Sequence, residues 1–95
     1  MNHTDLTACI AELSALRYTP AGLPALDLML EHSSQQTEAG HPRQVNLKIR
    51  ALALGNQAER LSRQAVGSQW QFQGFLATPR QGRSVVLHIQ EFQQD

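Results

Sequence analysis

The residues in this sequence that could do chemistry most directly are cations spaced along one short segment. Lys48 and Arg50 are two positions apart, and Arg43 precedes them. In a β-strand, side chains two positions apart share a face, so Lys48 and Arg50 would present two positive charges on the same side. Lysine and arginine side chains bind phosphate oxygens through charge-assisted hydrogen bonds. We therefore predict that Arg43, Lys48 and Arg50 line a single cationic track suited to a polyanion.

Two segments that we predict to be loops add further candidates for the same role. Residues 14–24 carry Pro20, Gly22 and Pro24, which are incompatible with a helix or a central strand. Residues 78–83, with the sequence TPRQGR, have the composition of a turn. The loop side chains that we expect to frame the track are Arg17, Tyr18, Arg80 and Arg83.

The four histidines lie in separate segments, and their spacing is not that of metal ligands. Cys9 is the only cysteine that could join them. We therefore predict no metal site and no cofactor. His32 directly precedes the polar stretch 33–43, and His41 lies near the end of that stretch. Both are expected to contact phosphate when they are protonated. His88 is expected to satisfy a hydrogen bond on a strand.

Aromatic residues make up only 5% of the chain, which limits the stacking of nucleobases on protein side chains. Tyr18 is the best placed for such stacking. Trp70 and Phe72 share strand parity and are expected in the core or in a subunit contact. Phe75 and Phe92 are expected to be packing residues.

Patterns typical of catalysis are absent from the sequence. We find no nucleophile with an assembled base, no paired carboxylates and no glycine-rich phosphate loop. Cys9 falls on a predicted strand, where it is expected to be a small core hydrophobe. We therefore predict that the protein is not an enzyme and has no catalytic residues.

Hydrophobic alternation with a period of two predicts the strands that hold these side chains. The clearest example is residues 44–55, in which Val45, Leu47 and Ile49 share one face while the cations occupy the other. The five predicted strands are residues 5–13, 25–33, 44–55, 70–77 and 84–92.

One short helix is predicted between the third and fourth strands, because residues 56–65 lose the strand alternation. Asn56 can serve as its N-cap, Glu59 stands at the capping-box position, and Gly67 can close the far end. The polar stretch 33–43, by contrast, is predicted to be a turn-rich connection rather than a core element.

Length and composition restrict the class of protein. With 95 residues the chain has room for one domain, residues 1–95. A fold this small buries only about 60% of its unfolded surface, so association into a homodimer would help it. Eight Lys plus Arg balance eight Asp plus Glu, so any site for a polyanion must be a local patch. A single cysteine, no secretory leader and no apolar run of about 20 residues predict a cytoplasmic protein without a membrane segment.

The predicted order of elements is three strands, a short helix and two further strands. This is the connectivity of the OB-fold, a partly open barrel that binds oligonucleotides or oligosaccharides. The predicted fold class is therefore all-β, a five-stranded OB-fold barrel with one short helix between strands 3 and 4. The same order also fits an SH3-like barrel with an inserted helix, or an α+β sandwich.

Five short motifs span nearly the whole chain: LRYTPAGLP at 16–24, LEHS at 30–33, EAGHPR at 38–43, GFLA at 74–77 and LHI at 87–89. In their order and spacing they resemble the primosomal replication protein N (PriB) family, an OB-fold relative of the single-stranded DNA-binding proteins. The resemblance implies a homodimer of OB-folds that binds single-stranded DNA. It also implies a role in replication restart, in which the dimer bridges the PriA helicase to other primosome components.

Under this hypothesis, single-stranded DNA lies on a cationic OB face without base-specific recognition. The residues that we assign to nucleic-acid binding are Arg17, Tyr18, His32, His41, Arg43, Lys48, Arg50, Arg80 and Arg83. The balanced charge and the few aromatic residues favour an alternative, a protein adaptor that docks onto the helicase with weak or no DNA affinity. An RNA-binding OB-fold is a third alternative.

Overall fold

The computed structural model describes residues 1–94, and within them six strands and one helix are formed. The elements are β1 (Thr4–Leu13), β2 (Arg17–Tyr18), β3 (Pro24–Glu38), β4 (His41–Leu54), α1 (Asn56–Ser62), β5 (Gln69–Ala77) and β6 (Val86–Gln93). β2 is a two-residue strand inside the segment predicted to be a loop. The other five strands and the helix follow the predicted order.

The strands close into a ring because β1 has two partners. In the sheet order β1-β5-β6-β4-β3-β2, β1 also pairs with β3. The segment from Thr4 to Cys9 pairs with β5, and the segment from Cys9 to Leu13 pairs with β3. A register shift between Ile10 and Glu12 marks an irregularity of the kind that bends a strand. The prediction of an OB-type barrel is confirmed, since the ring is closed and its helix lies between β4 and β5.

The core is built from the side chains that the period of two places inside the ring. Ile10, Leu26, Leu30, Phe72 and Leu87 are all fully buried. Successive side chains on a strand point to opposite faces of the sheet, so side chains two positions apart can face the core together. Helix α1 covers one end of the ring with two further fully buried side chains, those of Ala58 and Leu61.

The connection between β3 and β4 differs from the prediction. The stretch 33–43 is not a turn-rich loop, because the two strands stay paired from Ser33 opposite Asn46 to Glu38 opposite His41. The turn consists of Ala39 and Gly40, whose φ angles of 52° and 80° suit a tight hairpin. We call residues 32–47 the β3–β4 arm. Residues 33–38 are Ser, Gln, Thr and Glu, and they can form this ladder because its hydrogen bonds are made by the backbone.

The helix boundaries also differ from the prediction. Gly55, not Asn56, is the N-cap, and the structure has no side-chain hydrogen bond there, so the predicted capping box of Asn56 and Glu59 is wrong. The helix ends at Ser62, and Gly67 lies in the turn before β5, where its amide donates to the carbonyl oxygen of Ile10 at 2.7 Å. Residues 56–65 therefore contain a shorter helix than their composition suggests.

A cross-strand contact of Asp5 on β1 is expected to make the stability of the protein depend on pH. Gln71 and Gln73 donate hydrogen bonds to the carboxylate of Asp5 at 2.9 and 3.3 Å, and these bonds lower the pKa of Asp5. A carboxyl group with a lowered folded-state pKa adds stability above its unfolded pKa and loses it as the pH falls through the folded value. We expect Asp5→Asn to be less stable than the unmodified chain at about pH 6, with the difference shrinking towards about pH 3. Urea unfolding at several pH values measures this, and a difference independent of pH would contradict it.

Candidate nucleic-acid interface

Lys48 and Arg50 project from the outer face of β4, away from the core. In the pairing with β3, Lys48 is opposite Glu31 and Arg50 is opposite Met29. The intervening position of β4 is Ile49, which packs against the core from the inner face. The Lys48 side chain is 71% exposed. We call this side of the ring the outer face. Two of the predicted cations, Lys48 and Arg50, therefore lie side by side on the outer face and are exposed to solvent.

Carboxylates on the outer face pair with two of the predicted site cations. The Arg17 guanidinium donates to Asp27 at 2.8 and 3.2 Å, and this contact raises the pKa of Arg17. The Lys48 ammonium lies 3.3 Å from a carboxylate oxygen of Glu31. Exposed pairs of this kind contribute about 0–1 kcal/mol, so a phosphate group can compete with them. The outer face therefore has cations whose positive charge is partly cancelled.

Arg43 does not join this track, so the prediction that three cations line one side is wrong. Arg43 lies opposite Gln36 on the arm and five positions before Lys48, and an odd separation puts two side chains of one strand on opposite faces. The Arg43 guanidinium instead donates to Glu38 at 2.8 Å. His41 shares the face of Arg43, because the two residues are two positions apart on β4.

His32 holds the base of the arm against β1. Its Nδ1 atom donates to the carbonyl oxygen of Thr7 at 2.6 Å, and its Nε2 atom forms a 2.8 Å hydrogen bond with the hydroxyl of Ser34. Both ring nitrogens are therefore engaged inside the protein. His32 and Lys48 both line an open groove of about 910 Å³ between β1 and the arm.

The loop between β5 and β6 reaches the outer face from another side. Pro79 and Arg50 line one groove of about 410 Å³, together with Glu12 and Asp27. The two predicted cations of this loop, Arg80 and Arg83, are exposed. Within residues 1–94, no carboxylate lies within 4.0 Å of Arg50, Arg80 or Arg83. Tyr18 is 63% exposed on β2, opposite Pro24.

An aromatic pair that the sequence did not single out lies on the outer face of β5 and β6. The rings of Phe75 and His88 are stacked, with centroids 4.7 Å apart and an interplanar angle of 9°. In the part of the chain that the structure describes, the His88 side chain makes no hydrogen bond to another protein group, in contrast to the expectation for His88. Phe75 has the parity opposite to that of Phe72, but the sequence could not reveal its cross-strand partner because a register shift separates Gln73 from Gly74.

In contrast to the expectation of a packing residue, Phe75 lies half-buried on the outer face instead of in the core. Trp70, Phe72 and Phe92 are packing residues, as expected. Phe72 is fully buried, and Phe92 is 5% exposed. Trp70 contacts the edge of the Phe92 ring at a centroid distance of 5.2 Å. The Arg60 guanidinium lies over the same Phe92 ring at 4.7 Å. These contacts belong to the closed end of the ring under α1.

Residues 1–94 contain neither a cluster of metal-ligating side chains nor a membrane-spanning helix. No three histidine, cysteine, aspartate or glutamate side chains among them come together as a possible metal site. No helix within the same residues has the length and apolar character required to span a bilayer. Cys9 is half-buried, and its sulfur lies 3.7 Å from the side-chain oxygen of Gln69.

Comparison with known proteins defines the class to which this fold and face belong. Residues 2–91 match a family model described as another single-strand binding protein family. The structure is similar to a deletion mutant of the single-stranded DNA binding protein from Thermus aquaticus, with a TM-score of 0.77 and 26% identity over 98% of this chain and 49% of that one. The chain is therefore an OB-fold protein of the single-strand binding class.

Two further matches identify the family within that class. The replication restart protein PriB of Bordetella pertussis is 50% identical over 92 residues, which cover 96% of this chain and 86% of that protein. The solved structure of PriB from Ralstonia solanacearum has a TM-score of 0.90 at 38% identity, with 99% of this chain and 97% of that chain covered. The chain belongs to the PriB family of replication restart proteins.

Proposed function

We propose that this protein binds single-stranded DNA during replication restart, with the strand lying along the outer face of the ring. The observation that carries the proposal is the juxtaposition of Lys48 and Arg50 on the exposed face of β4, in a chain of the PriB family. We include Arg80 and Arg83 in the site because both are exposed and their loop contributes Pro79 to the groove that Arg50 lines.

The proposed mechanism is passive and independent of base sequence. Lys48, Arg50 and the loop arginines contact phosphates, which releases counterions and makes the affinity depend on salt. Arg17 joins them when a phosphate displaces Asp27 from its guanidinium. Arg43, His41 and His32 lie on the opposite face or are engaged elsewhere, so we leave them out of the proposed track.

Removal of either strand cation tests the proposed track. We expect Lys48→Ala and Arg50→Ala each to weaken binding of a labelled oligo-dT by about five- to tenfold at about 50 mM salt. Each change should also flatten the dependence of log affinity on log salt by about 0.7, because one phosphate contact to a single strand is lost. Equilibrium anisotropy titrations at several salt concentrations measure both quantities.

Arg43→Ala is the matched control for this experiment. It removes the same charge from the same strand but on the opposite face, where the Arg43 guanidinium is already paired with Glu38. We expect it to leave the salt slope unchanged. Equal effects of all three substitutions would mean that net charge, rather than the outer face, governs binding, and the proposed track would be abandoned.

We also propose that two copies associate and that the dimer acts in the cytoplasm by bridging the PriA helicase to other primosome components. Membership of the PriB family supports this part of the proposal. Sedimentation measures the dimer, and capture of purified PriA on immobilised protein measures the bridge. A monomeric species at all concentrations, or no capture of PriA, would overturn the corresponding part.

A second function, that of a protein adaptor with little DNA affinity, is favoured by the charge pairing on the outer face. Asp27 and Glu31 cancel part of the positive charge there, and the chain as a whole has no net charge. An adaptor would bind PriA but would bind oligo-dT weakly even at about 10 mM salt, where screening extends to about 30 Å. The oligo-dT titration in that buffer therefore separates the two functions.

A further inference from the structure

The stacked pair of Phe75 and His88 lies on the outer face, because its neighbours along the chain point into the core. Leu76 of β5 and Leu87 of β6 are opposite each other, and Leu87 is fully buried. Phe75 and His88 are the next pair, opposite each other on the other side of the sheet. Both residues are half-buried.

The cross-strand register joins this pair to the face that carries the cations. His88 lies beside Leu52 of β4 in the parallel pairing of β4 with β6, and Leu52 lies opposite Asp27 of β3. The adjacent row across the same strands contains Arg50 and Val86. Successive outward side chains on a strand are about 6.6 Å apart. The stacked pair and Leu52 therefore form the aromatic and apolar part of a row that ends at Asp27. The adjacent row contains Arg50, which has no carboxylate partner within residues 1–94.

The composition of this row suits a ligand with a flat apolar ring. A cross-strand aromatic pair on a sheet contributes some stability by itself. An imidazole, however, has two polar nitrogens, and within residues 1–94 neither nitrogen of His88 is hydrogen-bonded. The ring is instead held parallel to Phe75 by stacking and has Leu52 as its neighbour on β4.

We infer that Phe75 and His88, with Leu52 beside them, form a stacking platform for one nucleobase of single-stranded DNA, while Arg50 contacts an adjacent phosphate. This inference rests on the proposed function, since it assumes that the strand lies on the outer face. It adds a base contact to a site that otherwise has only charges. Stacking tolerates any base, because every base has an apolar π-face.

Substitution of Phe75 tests the platform. We expect Phe75→Leu, which keeps an apolar side chain but removes the aromatic face, to weaken binding of oligo-dT by about 5- to 150-fold. Phe75→Tyr should retain most of the affinity. The salt slope should not change in either variant, because stacking releases no counterions. This last feature separates the platform from Arg50, whose removal flattens the slope.

An oligonucleotide with abasic residues provides the decisive comparison. Phe75→Leu and the unmodified chain should bind the abasic strand equally, since it offers phosphates but no base to stack. His88→Gln is a second variant, which removes a ring without altering Phe75, and it should follow the same pattern with a smaller loss. Val66→Ala is the matched control, because Val66 is 60% exposed and lies outside the outer face, between α1 and β5.

The outcomes distinguish the platform from the proposed function. If the unmodified chain binds oligo-dT with a salt-dependent affinity but Phe75→Leu and His88→Gln bind as tightly, the platform is overturned and DNA binding stands. If the unmodified chain does not bind oligo-dT at low salt, both are overturned. Circular dichroism of each variant establishes that it is folded, and His88→Gln decides the matter if Phe75→Leu does not fold.

Discussion

Gly74→Ala is expected to lower the free energy of unfolding by about 3 kcal/mol, a large fraction of the total stability of about 5–15 kcal/mol that is typical of a domain. A Cβ atom at position 74 would lie 1.8 Å from the carbonyl oxygen of His88 and 2.9 Å from its carbonyl carbon. Both are backbone atoms of β6, so the clash cannot be relieved by rotation of a side chain. Gly74 stands at the register shift between β5 and β6, where the two backbones approach closely.

Gly82→Ala is the matched control for this prediction. A Cβ atom at position 82 would lie 3.2 Å from side-chain atoms of Pro79, in an exposed loop whose φ at Gly82 is not in the left-handed region. We expect the free energy of unfolding to change by less than about 1 kcal/mol. The close contact with Pro79 destabilises the folded state, and the reduced conformational freedom of the unfolded chain partly offsets this effect. Urea titrations followed by circular dichroism measure both variants. Equal stabilities of the two would mean that β5 and β6 are not held as closely as described.

Neutralising the two carboxylates of the outer face is expected to strengthen DNA binding. Asp27→Asn combined with Glu31→Gln frees Arg17 and Lys48 from their ion pairs without removing any cation. Each cation that becomes available for a phosphate steepens the salt slope by about 0.7, so we expect an affinity gain of about tenfold or more at about 50 mM salt. Both pairs are exposed, so the loss of stability should stay below about 1 kcal/mol for each.

Glu38→Gln provides the control for the gain in affinity. It breaks the pair of Arg43 with Glu38, which has the same 2.8 Å distance as the closest contact of Arg17 with Asp27 but lies on the opposite face of the arm. We expect no change in the salt slope from Glu38→Gln. A similar gain in affinity per neutralised carboxylate in both experiments would mean that DNA affinity depends on the total charge of the protein. A loss of affinity in the double variant would contradict the outer-face site.

The barrel could be predicted because its core follows a local rule. Leu26, Leu28 and Leu30 alternate with Asp27 and Met29, and all three leucines are buried as the alternation predicts. The face of Lys48 and Arg50 follows from the same rule. Such patterns are set by residues two positions apart, so they can be recognised without knowledge of the partner strand.

The outer part of the arm could not be predicted because residues 33–43 have no apolar alternation. Residues 33–43 are polar, and on composition alone they are typical of a loop, yet backbone pairing extends to Glu38 and His41. Strand parity applies only within a strand, so the prediction of a loop at 33–43 gives no orientation for Arg43. The stack of Phe75 on His88 was missed for a different reason, since it depends on the register between β5 and β6.

The position of Trp70 gives this protein an internal optical signal. Trp70 is the only tryptophan, its Nε1 atom donates to the Ser68 hydroxyl at 2.9 Å, and its ring packs against Phe92 at the core. Its emission therefore reports loss of packing when the barrel unfolds. A nucleic acid on the outer face does not touch this indole, so emission should stay constant as a strand binds. Unfolding can thus be followed in the presence of DNA, and the stabilisation by bound DNA can be measured without interference.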